Sequence, residues 1–308
     1  MYKHAQLRRH ARHILLVTAI ATVLPIHRAD AQRETMAARD WTAVEQALGR
    51  RGLSQPGGVM RFGFPRGDLH VAVGDVQLLP AFALGGWVAF LPDGRSTTMM
   101  GDLVLTEDEA SPVIDKLQQG DVRVTAIHNH LSGESPHVLY AHIHGHGDAG
   151  RLAETVHAAL ATTQTPLTQP PAVTSIRIDL DTSAIARILG IAGRVNGGVY
   201  QVSVPRAATI RVGGKALPPA MGVATAINFQ PTGANKAAIT GDFVMVASEV
   251  TSVQRALRAN HIAITALHSH MTDEEPRLFF MHFWAVDDAA TLARGLRAAL
   301  DRMAVKHS

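Results

Sequence analysis

The stretch Thr125-Ala-Ile-His-Asn-His-Leu-Ser-Gly-Glu-Ser-Pro-His-Val-Leu-Tyr-Ala-His142 returns 140 positions later as Thr265-Ala-Leu-His-Ser-His-Met-Thr-Asp-Glu-Glu-Pro-Arg-Leu-Phe-Phe-Met-His282. Holding that offset without a gap from Gly101 to Leu160 gives 20 identities in 60 positions. Unrelated segments of ordinary composition share roughly one position in fifteen. The match continues upstream with small slips, Pro65-Arg66 facing Pro205-Arg206 and Leu48-Gly49 facing Leu189-Gly190. The chain is an internal duplication, so its fold is one unit built twice.

Within a copy the hydrophobic periods indicate the elements. Asp40 and Ser183 stand where they can cap short opening helices. Strand-like runs follow around 69–76, 86–91 and 98–105, and in copy two around 199–204, 208–213, 223–229 and 237–246. Ala110, Val113, Ile114 and Leu117 keep helical spacing and predict a helix over 107–119. Strands at 122–130 and 137–145 form a hairpin around Gly133-Glu134-Ser135-Pro136, and last helices start at Asp148 and Asp288. The fold class expected is α+β: two tandem copies of a strand–helix–strand–strand–helix sandwich with a mostly antiparallel sheet. The helix over 107–119 should cross between two parallel strands. The boundaries expected are a signal peptide over 1–31, repeat domains over 32–163 and 181–308, and a linker over 164–180. The linker is rich in Thr, Gln and Pro, and Ser175 to Asp181 alternates like an edge strand or extended connector.

The repeated stretch carries H-x-H-x3-E-x7-H in register in both copies: His128, His130, Glu134 and His142, then His268, His270, Glu274 and His282. Residues i and i+2 of a strand share a face, so each H-x-H pair points one way. Simple alternation places the pair on the face of Val122, Val124 and Ala126, and of Ile262, Ile264 and Ala266 in copy two. The hairpin folds the third histidine back beside the first. Three imidazoles and a carboxylate on one face suit Zn²⁺, Mn²⁺ or Fe²⁺. The six histidines are the candidate metal ligands, with Glu134 and Glu274 as fourth ligands or general bases. Each hairpin can form its own site, or the two can share one across a pseudo-twofold axis. The bland alternative is a half-buried face of hydrogen-bonded histidines.

His137, His144 and His146 can widen a site in copy one, or simply end a strand. Phe279, Phe280, Phe283 and Trp284 read as core. The recurring Gly101-Asp102 and Gly241-Asp242 read as turn or cap residues, with a carboxylate supporting a histidine as the alternative. Glu109 and Glu249 fall in a first helical turn, where the helix dipole favours acids. The cupin, metallo-β-lactamase and JAMM metal patterns each fail to complete, and no nucleophile elbow, phosphate loop or dinucleotide fingerprint occurs.

The chain has 308 residues, 46% of them apolar, with 17 histidines and no cysteine. Lys3, Arg8, Arg9 and Arg12 precede an apolar run from Ile14 to Ile26 and then Ala29-Asp30-Ala31. These are the parts of a secretory signal peptide, and the run is too short to span a bilayer comfortably. Of 29 basic and 26 acidic residues, five basic and one acidic lie in 1–31, so the remainder is close to neutral. No basic stripe interleaved with aromatics survives, which argues against nucleic acid as a partner. The expectation is a periplasmic or secreted protein with no stable membrane anchor after signal cleavage. Its partner would be a small molecule or envelope component.

The run from 265 to 282 and its copy at 125–142 resemble the LppY/LpqO family, an exported bacterial family named from actinobacterial lipoproteins. The resemblance extends over essentially the whole mature chain. It implies an envelope location and supplies no activity or site residues. Unlike those lipoproteins, this chain has no cysteine to acylate. Three functions remain open on the residues: a metal-dependent hydrolase of an envelope component, a non-catalytic metal carrier, and a metal-free ligand-binding module.

Overall fold

The computed structural model describes residues 40–169 and 178–306. The signal-peptide segment and residues 170–177 of the expected linker lie outside them. Copy one runs α1 (Thr42–Leu48), β1 (Leu53–Gln55), β2 (Val59–Pro65), β3 (Ala72–Val73), β4 (Val76–Gln77), β5 (Gly85–Asp93), β6 (Ser96–Thr106), α2 (Glu107–Gln119), β7 (Arg123–His128), β8 (Glu134–Ser135), β9 (Val138–Gly147) and α3 (Ala149–Leu160). Copy two repeats the order as α4 (Thr182–Leu189), β10 (Arg194–Asn196), β11 (Val199–Pro205), β12 (Arg211–Val212), β13 (Lys215–Ala216), β14 (Ala224–Gly233), β15 (Lys236–Met245), α5 (Ala247–Ala259), β16 (Ala263–His268), β17 (Glu274–Glu275), β18 (Phe279–Asp288) and α6 (Ala289–Leu300). A short 3-10 turn, Pro219–Met221, precedes β14.

Each copy forms a six-stranded antiparallel sheet, ordered β1-β2-β5-β6-β9-β7 and β10-β11-β14-β15-β18-β16. The α+β expectation holds. β6 and β7 both run antiparallel to β9, so they are parallel to each other and α2 crosses between them over an inserted strand. The strand β2 lay hidden in the sequence between two Gly/Pro-rich turns, although Val59, Phe62 and Phe64 bury their side chains from it. The opening helix of copy two is capped by Asp181, which accepts from the Ala184 amide, rather than by Ser183. Asp40 accepts from both the amide and the hydroxyl of Thr42.

Two kinds of core hold these sheets. On one face of each, the helices close a cluster drawn from a single copy: Phe62, Phe90, Leu103 and Ile143 with Val113 and Leu152 in copy one, and Phe229, Phe243 and Phe283 with Val253 and Leu292 in copy two. On the other face the clusters are mixed. Met100 and Ala89 pack with Met221, Met271 and Phe280, while Phe82, Leu131 and Tyr140 pack with Val199 and Trp284. The molecule is thus four layers, helices–sheet–sheet–helices, with the two sheets face to face. Each fully buried Leu or Phe stabilises by about 2 kcal/mol, against about 1 kcal/mol net for a hydrogen bond, so these mixed clusters dominate the union of the copies.

Hydrogen bonds set its register reciprocally. Gln201 donates to Ala81 O at 2.8 Å, and Arg61 donates to Ala220 O at 2.9 Å. The copies are therefore two halves of one body over 39–308 rather than beads on a linker. The described start of the expected linker is itself docked: Gln164 N donates to Glu109, and Arg50 donates to Pro166 O.

Candidate metal centre

Simple alternation fails at Thr125. Val124 lies opposite Ile143 and Ala126 opposite His142, so Thr125 is the extra residue of a β-bulge. The same bulge sits between Ile264 and Ala266. One extra residue reverses the face of everything after it. Val122 and Val124 stay with the helix-side core, while Ala126 and His128 turn to the inner face with Tyr140 and His142. The bulge therefore moves the histidines from the helix-covered face expected of them into the seam between the sheets. It also frees the bulged threonine to reach across: Thr125 Oγ1 donates to His270 O, and Thr265 Oγ1 to His130 O, both at 2.6 Å.

The six histidines of the repeated motif meet there. Ring centroids of His128 and His268 lie 3.5 Å apart, those of His142 and His270 3.5 Å, and those of His130 and His282 3.8 Å, each pair crossing between copies. Tyr140 backs His130 and Phe280 backs His270, with centroids 3.3 and 3.6 Å apart. Phe280 is thus both core and support. The two hairpins face each other across the seam, so the histidines of both copies lie together.

Asp102 and Asp242 complete the seam. They sit mid-strand, paired with His142 and His282 respectively, not at a turn or cap. The preceding glycines permit this: a Cβ on Gly241 would stand 1.9 Å from Ala226 O, and one on Gly101 2.8 Å from Trp87 O. Asp242 Oδ2 lies 3.7 Å from His270 Nε2 and Oδ1 lies 4.0 Å from His282 Nε2, while Asp102 Oδ1 lies 3.8 Å from His142 Nε2. Two donors sharing one ion at about 2.1 Å each stand about 3–4 Å apart. These separations suit a shared ion and are too long for hydrogen bonds. The two aspartates are candidate ligands that sequence reasoning assigned to a turn, Asp242 within 4.8 Å of the His270 and His282 donors, although the exact recurrence of Gly-Asp carried the signal.

The buried polar atoms suit a cation. Among the described residues, Nε2 of all six histidines and Oδ1 of both aspartates are buried without a hydrogen-bond partner. Orphaned buried polar atoms are costly, and so many converging from both copies fit a cation site. His282 Nδ1 lies 2.8 Å from Gly241 O. A carbonyl only accepts, so Nδ1 carries the proton and Nε2 keeps its lone pair for an ion. Burial holds His128 down to about 4 and His268 to about 3, and keeps the other four well below the ordinary imidazole value. Burial also pushes Asp102 up to about 8, opposed by Arg61, and raises Asp242 with help from the Asp102 charge. Neutral imidazoles beside carboxylates that resist ionising are what removal of a cation would leave.

Three sets of donors lie within 4.8 Å of one another: His128, His130 and His142; His128, His268 and His270; and Asp242, His270 and His282. Glu134 and Glu274 belong to none of these. Each folds back on its own turn, Glu134 accepting from Val138 N at 3.4 Å and Glu274 from Leu278 N at 2.9 Å, with Arg277 also on Glu274. Glu134 differs in keeping Oε2 buried and unpartnered, and burial raises it to about 7 against the Val138 amide and Asn129. His144 is held by Arg123 at 2.9 Å, His146 lies near Thr98 and Asp93, and His137 is exposed, so none joins the donor sets.

Residues 42–162 and 183–302 each match the family described as Domain of Unknown Function (DUF1259). The chain belongs to that family. The two DUF1259 copies coincide with the two halves of the fold. No curated protein matches the chain. Among solved structures, the chain has a likeness to the double-ringed trimeric shell protein MSM0271 from the RMM microcompartment, at 12% identity over 68% of this chain and 84% of that one, TM-score 0.19. A trimeric microcompartment shell protein PduB matches at 11% over 80% and 88%, TM-score 0.21. EtuB from Clostridium kluyveri matches at 11% over 82% and 91%, TM-score 0.20. At such TM-scores these likenesses say nothing of fold or function.

Proposed function

We propose that this DUF1259 protein is an exported metalloprotein of the bacterial envelope, akin to the LppY/LpqO proteins, whose two repeats jointly build one divalent transition-metal centre. The observation that carries this is the convergence of six unpartnered buried Nε2 atoms and two unpartnered buried aspartate oxygens in the seam between the copies. His128, His130, His142, His268, His270 and His282 would hold the metal with Asp102 and Asp242. Zn²⁺, Mn²⁺ or Fe²⁺ suits this mixed imidazole–carboxylate set. Export is supported by the basic, apolar and Ala-x-Ala segments of residues 1–31. A periplasmic or secreted location follows, with an envelope component or small molecule as partner.

One observation favours catalysis over storage. Glu134 has a free buried oxygen and a pKa near neutrality, the condition for a general base. A bound metal would supply Lewis acidity, and Glu134, with Oε2 buried and unpartnered, would be the motif glutamate able to accept a proton. Glu274, tied to Leu278 and Arg277, would keep a structural part. Metal analysis of the mature protein, before and after reconstitution, tests the centre itself. Bound Zn, Mn or Fe supports it; failure to bind any transition metal overturns it in favour of a metal-free binding module. Glu134→Gln should retain the metal and, if the protein is a hydrolase, abolish turnover.

A further inference from the structure

The pseudo-twofold centre is not chemically symmetric. A small cavity opens beside His142 and His270, lined also by Met100, Met221, Met271 and Trp87. The three methionines are buried, Met221 completely, and both histidines are more than nine-tenths buried with Nε2 unpartnered. No carboxylate lines the cavity. At the related place across the axis the sulfurs are missing. The 140-residue offset replaces Met100 with Thr240 and Met271 with Leu131. Phe82 occupies the position of Met221, since Ala81 O accepts from Gln201 as Ala220 O accepts from Arg61. Phe82 fills that side against Trp284, centroids 6.0 Å apart.

We infer that this cavity is a site for a soft monovalent cation, Cu⁺, held by the thioethers of Met100, Met221 and Met271 with His142 and His270. Thioether and imidazole are neutral, polarisable donors that suit Cu⁺, whereas hard divalent ions favour the carboxylate side of the seam. Arg61 stacks over Trp87 at 3.7 Å. Its charge opposes a divalent ion in the cavity twice as strongly as a monovalent one, because Coulomb energy is linear in charge. Methionine also fills irregular cores without any ligand role. What separates the two roles is the presence of unpartnered imidazole nitrogens in the same lining. The inference rests on the metal reading above in that it uses the same Nε2 atoms of His142 and His270, for which Cu⁺ and a divalent ion would compete.

The test titrates the mature protein anaerobically with Cu⁺ against a chromophoric Cu⁺ chelator, and separately with Co²⁺ as the divalent probe. Met100→Leu and Met271→Leu, alone and combined, conserve volume and should preserve the fold. The double variant should lose more than about tenfold in Cu⁺ affinity, the scale that changes around a metal site reach, with Co²⁺ affinity unchanged. In the unmodified protein, the methyl resonances of Met100, Met221 and Met271 should shift strongly on adding Cu⁺ and much less on adding diamagnetic Zn²⁺, which has little affinity for thioethers. Unaltered Cu⁺ affinity in the double variant, or silent methionine methyls, overturns this inference while Co²⁺ binding leaves the divalent centre standing. Absence of binding by either ion overturns both.

Discussion

His128 and His268, 140 residues apart in the chain, stack face to face across the pseudo-twofold axis with ring centroids 3.5 Å apart. Neither copy alone can reproduce that contact, and His128 belongs to donor sets from both halves. His128→Ala and His268→Ala should each weaken the whole centre. Co²⁺ titration with metal analysis checks this. Two independent sites would instead show half the stoichiometry, with the remaining half at native affinity.

Asp102 and Asp242 are buried carboxylates without hydrogen-bond partners on Oδ1. Asp102→Asn and Asp242→Asn keep the shape and remove the charge. Each should lower divalent-metal affinity by about 10–100-fold. The apo protein should become more stable near neutral pH, because a buried carboxyl no longer has to be held protonated above its ordinary range. Metal titration and thermal unfolding of the apo form check the two halves of this expectation. A fall in both would make the aspartates structural.

Thr125 and Thr265 tie each bulge to the opposite copy's H-x-H backbone. Valine at either position keeps the shape but leaves a histidine carbonyl without its donor. The cost should be about 1–3 kcal/mol, read by denaturant unfolding. Metal affinity should fall as well, since the histidines lose their cross-copy anchor. Unchanged affinity at reduced stability would show that the bulge serves packing alone.

Arg66–Glu109 and Arg206–Glu249 are buried ion pairs at 2.7 and 2.8 Å, one beneath each copy's crossover helix. Each glutamate also reaches back to the amide that opens its helix, Thr106 N or Val246 N. Burial alone would raise these carboxyls, but the arginine and the backbone amides outweigh it and hold both below the ordinary 4.5. A depressed folded pKa means that the unfolded state binds protons first. The stabilisation is therefore full above about 4.5 and fades as pH falls through the lower folded value. Thermal unfolding against pH should show this acid loss, and a Gln at either position should flatten it. Arg66 keeps Asp68 as a second partner at 2.8 Å. Arg206 has no second carboxylate among the described ion pairs. Glu249→Gln should therefore cost more than Glu109→Gln, on the order of 3 kcal/mol.

Much of this was legible in the residues because it depends on local pattern. Helical spacing placed α2, α3 and α6, and the offset of 140 placed α5 and exposed the duplication and the six histidines. Glu109 and Glu249 were read as structural acids, and their partners Arg66 and Arg206 lay in the Pro-Arg pair that the repeat had already aligned. Asp102 and Asp242 were present in the pattern but assigned to a turn, because Gly-Asp is turn chemistry when read locally. Only strand pairing shows that the glycine is there for close backbone approach and that the aspartate faces the seam.

The sequence by itself determined that one α+β unit occurs twice and that each copy carries three histidines in one pattern, since identity and spacing are properties of the chain. The tertiary structure decided where those histidines point and what they meet. A one-residue bulge reverses every side chain beyond it, and alternation in a sequence cannot register a residue left out of the pairing. The union of the two inner faces then brings together groups 140 residues apart, because apolar surface that neither sheet can cover alone is buried only against the other. That burial strips water from the imidazoles and aspartates and gathers the duplicated pattern in one seam.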